Sequence, residues 1–155
     1  MLCEDLGFHI FHRILHWPSI YQHIHKIHHE YKVTIAIAHA YMHPIEFFLT
    51  ILPTGFGPLI LGKHFHITTG FIWNILRSIE TIDGHTGYEF SWSPFRILPF
   101  AVDHGYHIYH HSSNTGNYSS FFTIWDTILG SNKQYYNTLE EFKENVEAKK
   151  SIKQE

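Results

Sequence analysis

A chain of 155 residues has room for one compact unit and is too short for two well-developed domains. A net charge of −3 with histidine neutral, and no run rich in Lys or Arg, exclude a basic field for nucleic acid; a single cysteine, Cys3, excludes an internal disulfide framework or a CxxC site. The anomaly that needs a cause is 16 histidines beside an aromatic fraction of 17%.

In chain order, Met1 to Phe11 has Glu4 and Asp5 where a cleavable signal would have basic residues, which argues against a secretory leader there. The aromatic and histidine-rich block from Glu4 to Tyr31 is interrupted by Trp17, Pro18 and Ser19. Proline suits the first turn of a helix, where its missing N–H has no partner to lose, so one helix is predicted to end near His16 and another to run from about Pro18 to Glu30.

From His43 to Glu80 the composition turns apolar: between Glu46 and Arg77 the only Lys, Arg, Asp or Glu is Lys63. A bilayer span needs about 20 apolar residues. Phe47 to Gly62 falls slightly short of that and contains Pro53, Gly55, Gly57 and Pro58. The segment reads as a tight membrane hairpin, Ile45–Leu61 and Ile67–Ile79, turning around Gly62 to His66; a soluble buried helix pair is the alternative. Thr81 to Gly130 returns to His, Gly, Tyr and Trp, with turns at Ser93-Pro94 and Leu98-Pro99 and a helix predicted over Val102 to His111. Beyond Ser131 the chain is polar, and Leu139, Phe142 and Val146 at helical spacing predict a short surface helix with a frayed end. The division expected is a domain over 1–135 and a polar tail over 136–155.

Three histidine clusters dominate: HxxxH at His12 and His16, HxxHH at His25, His28 and His29, and HxxHH at His107, His110 and His111. Residues three and four apart share a helix face, so each cluster is predicted to present its imidazoles as one inward group. A lone histidine is usually an ordinary core residue, and that reading holds for His9, His23, His64 and His66. Packed imidazoles would repel if protonated and lack donors if neutral, whereas a metal turns the crowding into coordination. Eight nitrogens exceed one ordinary four-coordinate zinc site, so two metals are expected. HExxH and the Glu-x-x-His pairs of carboxylate di-iron bundles are both absent. Imidazole alone does not choose the element, but oxidising an unactivated C–H bond with O₂ needs a redox metal, which iron is and zinc is not.

The boxes, with His43-Pro44-Ile45-Glu46, Arg77, Glu80-Thr81, His85-Thr86-Gly87-Tyr88, Gly116-Asn117-Tyr118-Ser119-Ser120, Trp125-Asp126 and Gly130, resemble the fatty acid hydroxylase superfamily and, within it, the C4-methylsterol monooxygenases. The resemblance runs from Glu4 to about Tyr135. It implies an all-α fold in which an integral-membrane helical hairpin carries a helical cap on its cytosolic side, with the dimetal site in the cap. It implies iron ligation by His12, His16, His25, His28, His29, His107, His110 and His111, with His85 completing the site; the bland alternative for His85 is a hydrogen-bonded turn residue. Glu4, Asp5, Glu80 and Asp83 are candidates for orienting ligand imidazoles, and Asn117 for holding a metal-bound water. No role follows for His39 or His43. Two departures stand out. Tyr106 replaces the first histidine of the family's last box, leaving His104 as an extra, and the family's N-terminal region with its first pair of membrane helices is not in this sequence.

The implied activity is O₂-dependent oxidation of a sterol 4-methyl group in the endoplasmic reticulum membrane, using two iron ions and electrons from NAD(P)H through cytochrome b5 or its reductase. A sterol C5-desaturase or another lipid hydroxylase shares the boxes. An inactive, zinc-binding membrane fragment is the alternative of a different class.

Overall fold

The first helix, α1 (Leu2–Leu15), places Glu4 and Asp5 in its first turn and His12 and Arg13 in its last, each sign against the favourable end of the helix dipole. Asp5, His9 and His12 are buried at spacings of four and three, so one stripe of α1 faces inward. The structure, a computed structural model, describes the backbone of residues 1–152 and the side chains of residues 1–150. Among the described residues there is no strand, only a bridge between Ala101 and Phe122.

Pro18 does open a second helix, but α2 (Pro18–Tyr21) is one turn long and the continuous helix expected as far as Glu30 is not formed. The Lys26 amide donates to the Tyr21 carbonyl, an i→i−5 bond of 2.9 Å, and His28–Glu30 closes as a 3-10 turn. A wide turn followed by a tight one rotates successive side chains away from the regular helical face. That rotation decides where the second histidine box points.

The apolar block begins with α3 (Pro44–Ile51), continues through a 3-10 turn at Leu52–Gly55 into α4 (Phe56–Leu61), and ends in a second 3-10 turn at Gly62–His64. Pro44–His64 is a run of 21 residues, the one helical segment among the described residues long and apolar enough to cross a membrane. At 1.5 Å per residue its span is about 30 Å. Phe48, Leu59 and Ile60 point outward from it, uncovered. Gly62, at φ +52°, turns the chain, and α5 (Ile67–His85) follows with the His66 ring accepting the Thr68 amide at its start.

These two arms do not close chiefly on each other. The first lies against α1, and α5 lies against the turn Ala36–Ala40 and against α6 (His104–Ser113). Between the arms is a cavity of about 290 Å³, lined by Phe47, Thr50 and Ile51 on one side and by Asn74, Ser78 and Thr81 on the other. The Asp103 carboxylate caps α6 by accepting the Tyr106 amide, and Asn114 ends it in the left-handed region. A further helix, α7 (Ile124–Leu129), forms where no element was expected. The last helix, α8 (Lys133–Ile152), is 20 residues long rather than the short surface helix expected, and Tyr135 near its start is buried against Tyr106. α8 therefore runs through the 135/136 boundary expected from composition.

Gly116, at φ +69°, starts the loop between α6 and α7, and a Cβ there would lie 2.3 Å from the Ser131 carbonyl oxygen, which already accepts the Asn117 amide. A left-handed backbone at a non-glycine residue costs about 1–3 kcal/mol before any clash is added. Gly116→Ala is expected to lower stability by at least about 2 kcal/mol, read as a lower midpoint in thermal or denaturant unfolding; an unchanged midpoint would contradict the tight seat described for this loop.

Candidate metal centre

The turns over residues 22–30, the C-terminal end of α1 with His16 just beyond it, the end of α5 and the interior of α6 bring nine histidines into two adjoining groups. His12, His16, His25, His29 and His110 form a group of five; His28, His85, His107 and His111 form a group of four; within each, one ring nitrogen per residue lies within 4.8 Å of the others. The groups touch: the His29 and His111 rings stack with centroids 4.6 Å apart, and His107 stacks on His110 at 5.8 Å. All nine residues expected from the sequence are in these groups. The boxes are not, however, the units of assembly. His28 parts from His25 and His29, and His110 parts from His107 and His111, so each HxxHH straddles both groups.

Hydrogen bonds on the outer side of the rings fix the tautomers. The Nδ1 of His12 faces the Tyr118 carbonyl at 2.8 Å, that of His110 the Gly116 carbonyl at 2.6 Å, that of His85 the Thr81 carbonyl at 2.7 Å, and that of His28 the Tyr41 carbonyl at 3.2 Å. His25 Nδ1 lies 2.6 Å from Glu46 Oε1. A carbonyl oxygen only accepts, so Nδ1 holds the hydrogen in His12, His110, His85 and His28 and Nε2 is left with a lone pair; in His25 the same holds when Glu46 is ionised. The Nε2 atoms point inward at one another: His12 to His25 at 3.1 Å, His25 to His16 and to His29 at 3.0 Å, His16 to His110 at 3.2 Å, His85 to His107 at 2.9 Å, and His107 to His111 at 3.1 Å.

With Glu46 ionised, neither Nε2 of the His12–His25 contact has a hydrogen to give, and two lone pairs meet face to face. A cation resolves it. Metal–imidazole bonds of about 2.0–2.1 Å separate adjacent donors by roughly 2.9–3.3 Å in octahedral or tetrahedral geometry, which is the spacing observed. The donor set therefore fits a pair of metal ions, and its all-nitrogen chemistry suits iron, zinc, copper or nickel alike.

Burial keeps the rings neutral and able to bind metal. It lowers His16 and His28 to about 4, His85 to about 3 and His111 to about 2, and pushes His12, His107 and His110 far down as well, with neighbouring imidazoles adding to the effect.

The four acids expected to orient imidazoles do other work. Glu4 accepts the Trp73 indole N–H at 2.6 Å and Arg77 Nε at 3.0 Å; Glu80 also pairs with Arg77, whose Nη2 reaches Ser120 Oγ at 2.9 Å. Asp5 accepts the backbone amides of Phe121 and Phe122, and Asp83 accepts the Ser93 hydroxyl and lies near Arg96. They tie α1, α5 and the loop together, because buried backbone amides and an arginine outcompete imidazoles already bonded to carbonyls. The carboxylate that does meet a clustered histidine is Glu46, which the sequence reading passed over; its signal was being the one acid in the apolar block.

Asn117 Nδ2 donates to the Tyr106 carbonyl at 3.0 Å, leaving Oδ1 without a protein partner. Tyr106 donates its hydroxyl to Asp126 Oδ2 at 2.8 Å, which explains a tyrosine where a histidine was expected: it anchors α6. His104 is buried outside both groups, with Nδ1 on the Gly84 carbonyl. His43 caps α3, and His39 bonds the Ala36 carbonyl at the rim. His85 sits on the last turn of α5, not in a turn beyond it.

A fatty acid hydroxylase family profile matches residues 1–131, and the chain belongs to that family. A very-long-chain aldehyde decarbonylase, GL1-8, of Oryza sativa subsp. indica is 40% identical over 138 residues, covering 87% of this chain and 51% of the relative. Methylsterol monooxygenase 1 of Rattus norvegicus is 39% identical over 140 residues, 90% of this chain and 47% of its own length. Methylsterol monooxygenase 2-2 of Arabidopsis thaliana is 37% identical over 153 residues, 97% and 56%. The chain spans about half the length of these relatives. No solved structure matches.

The lowered imidazole pKa values have a sign that can be checked. Histidine in the unfolded chain titrates near 6.5, so between that pH and the folded values of about 4 for His16 and His28 the unfolded state binds more protons. The metal-free chain is expected to lose stability steadily as pH falls from about 6.5 to about 4, measured by denaturant unfolding across that range; stability that is flat or rises on acidification would contradict the buried, neutral cluster.

Proposed function

With membership of the fatty acid hydroxylase family as the premise, we propose that this chain is the metal-binding part of a membrane-bound, non-haem di-iron oxygenase that oxidises the C4 methyl group of sterols. The observation that supports it most is the pair of histidine groups whose inward Nε2 atoms lie 2.9 to 3.2 Å apart. In this reading His12, His16, His25, His29 and His110 hold one iron and His28, His85, His107 and His111 the other. Two irons bound there would supply O₂ activation, with electrons from NAD(P)H by way of cytochrome b5 or its reductase.

The rest of the task falls to the chain itself. The cavity touches His12, His25, His28, His85 and His107 at one end and Phe47, Ile51 and Thr54 between the arms, so a lipid entering from the apolar side would meet both histidine groups. The outward Ile67, Phe71, Ile72 and Ile75 of α5, with Phe48, Leu59 and Ile60 of the first arm, form an apolar surface suited to lipid tails. On that basis the two arms form a hairpin in the endoplasmic reticulum membrane, with the histidine groups in a helical cap facing the cytosol.

A second reading has its own support, because the rice aldehyde decarbonylase is as similar to this chain as the sterol enzymes are. Expression in cells that lack C4 demethylation separates the two: clearance of 4,4-dimethylsterols supports the sterol reading, whereas conversion of supplied long-chain aldehydes with those sterols untouched replaces it. Metal analysis of the purified chain is expected to find two irons, and His85→Ala to lower the count to one while the group of five still loads. One zinc without O₂ consumption would overturn the oxygenase reading.

A further inference from the structure

Glu46 is the one carboxylate in Pro44–His64, on a run whose neighbouring Ile45, Phe47 and Phe48 are exposed, yet it is itself 1% exposed. An acid in such a segment is costly to bury unless a partner holds it, and intramembrane acids usually serve a functional site. Its partner is His25, through the 2.6 Å contact of Nδ1 with Oε1; among the described residues Oε2 has no partner.

His25 is the hub of the group of five. Its Nε2 lies within 3.1 Å of the Nε2 atoms of His12, His16 and His29, so whatever alters the basicity of His25 acts at the centre of that group. The group of four has no counterpart: the Nδ1 partners of His28 and His85 are the Tyr41 and Thr81 carbonyls, which are neutral. A carboxylate behind a metal-bound imidazole fixes its tautomer and raises its basicity more than a neutral carbonyl does, and an anion next to the position favours the more highly charged metal.

We infer that Glu46 is a positioning residue that makes the two metal positions unequal, so that the group of five binds its metal more tightly and better tolerates the higher oxidation state. The inference rests on the two-metal reading above and assigns Glu46 a part in it. Its reach extends to the cavity, which Glu46 also lines, so the acid that tunes the metal borders the space available to a lipid.

The test uses the whole chain in lipid nanodiscs, titrated with ⁵⁷Fe²⁺ and examined by Mössbauer spectroscopy. The unaltered chain is expected to fill in two steps and to show two distinct quadrupole doublets. Glu46→Gln keeps the shape and an acceptor oxygen but loses the charge; it is expected to weaken one step about 10- to 100-fold and to shift one doublet while the other stays. In a His85→Ala background, where the group of five is left to bind alone, the same weakening is expected in full. A folding defect would lower both steps together, and circular dichroism melting of Glu46→Gln checks for it. Two bound irons whose affinities and doublets are untouched by Glu46→Gln, or are altered equally, overturn the inference and leave the two-metal reading standing. A chain that takes up no Fe²⁺ overturns both.

Discussion

Opposed lone pairs are the constraint from which the rest of this structure follows. Nitrogen atoms without hydrogens, held about 3 Å apart inside a protein, repel, and burial removes the water that would otherwise separate them. Protonation would supply hydrogens, but it would also put like charges side by side in a poorly solvated space, and the depressed values of His16, His28 and His85 show how strongly burial opposes that. What remains is a cation shared among the rings. A site of this kind is expensive without its metal, and the surrounding scaffold must be rigid enough to hold the rings together in spite of it.

That rigidity comes from hydrogen bonds aimed at the outer side of the rings and at the segments that carry them. Asp126, fully buried, accepts the Tyr118 and Ser119 amides, the Ser131 hydroxyl and the Tyr106 hydroxyl, so one carboxylate binds α6, the loop after Gly116 and the entry to α8 into a single body. The same loop gives its Tyr118 and Gly116 carbonyls to His12 and His110. A loop that serves as acceptor for two clustered histidines from different helices cannot wander, and the positive φ at Gly116 and Asn117 is the conformation that points both carbonyls inward. Satisfied outer bonds of this sort set ring orientation before any metal arrives.

The histidines were legible in the sequence because HxxHH is improbable without a shared task; their division was not. Helical spacing predicts that His25, His28 and His29 share a face, and in an unbroken helix they would. The i→i−5 bond between Lys26 and Tyr21 is invisible in the residue types, and it is what sends His28 to one group and His25 with His29 to the other. Glu4, Asp5, Glu80 and Asp83 were plausible partners by proximity in the chain, yet their choice depended on which amides and guanidinium the fold delivered to them. Glu46 lies 21 positions from the histidine it meets, and that pairing exists only once α3 is laid against the second box. Local pattern revealed the donors, and tertiary packing sorted them.

Charge is placed unevenly along α5. From Ile67 to Leu76 the helix has no Lys, Arg, Asp or Glu; then Arg77, Glu80 and Asp83 follow within two turns, and His85 closes it. Arg77 is where charge begins. On the membrane reading, a guanidinium at the edge of hydrocarbon must be neutralised at once, and it is, by Glu4 from α1 and by Glu80. Eight residues of helix separate Arg77 from His85, a rise of about 12 Å, so the histidine groups are held just beyond the apolar boundary by the stiffness of one helix. The ion pair then has two consequences with one cause: it pins α1, and with it His12 and His16, to the level of α5 at which charge begins, and it places the polar end of the cavity next to the clustered rings. On the same reading, with α1 and α5 both fastened at that level, a lipid's reacting carbon would approach the rings along the gap between the arms, and the depth of the site would limit which part of a lipid is exposed to chemistry.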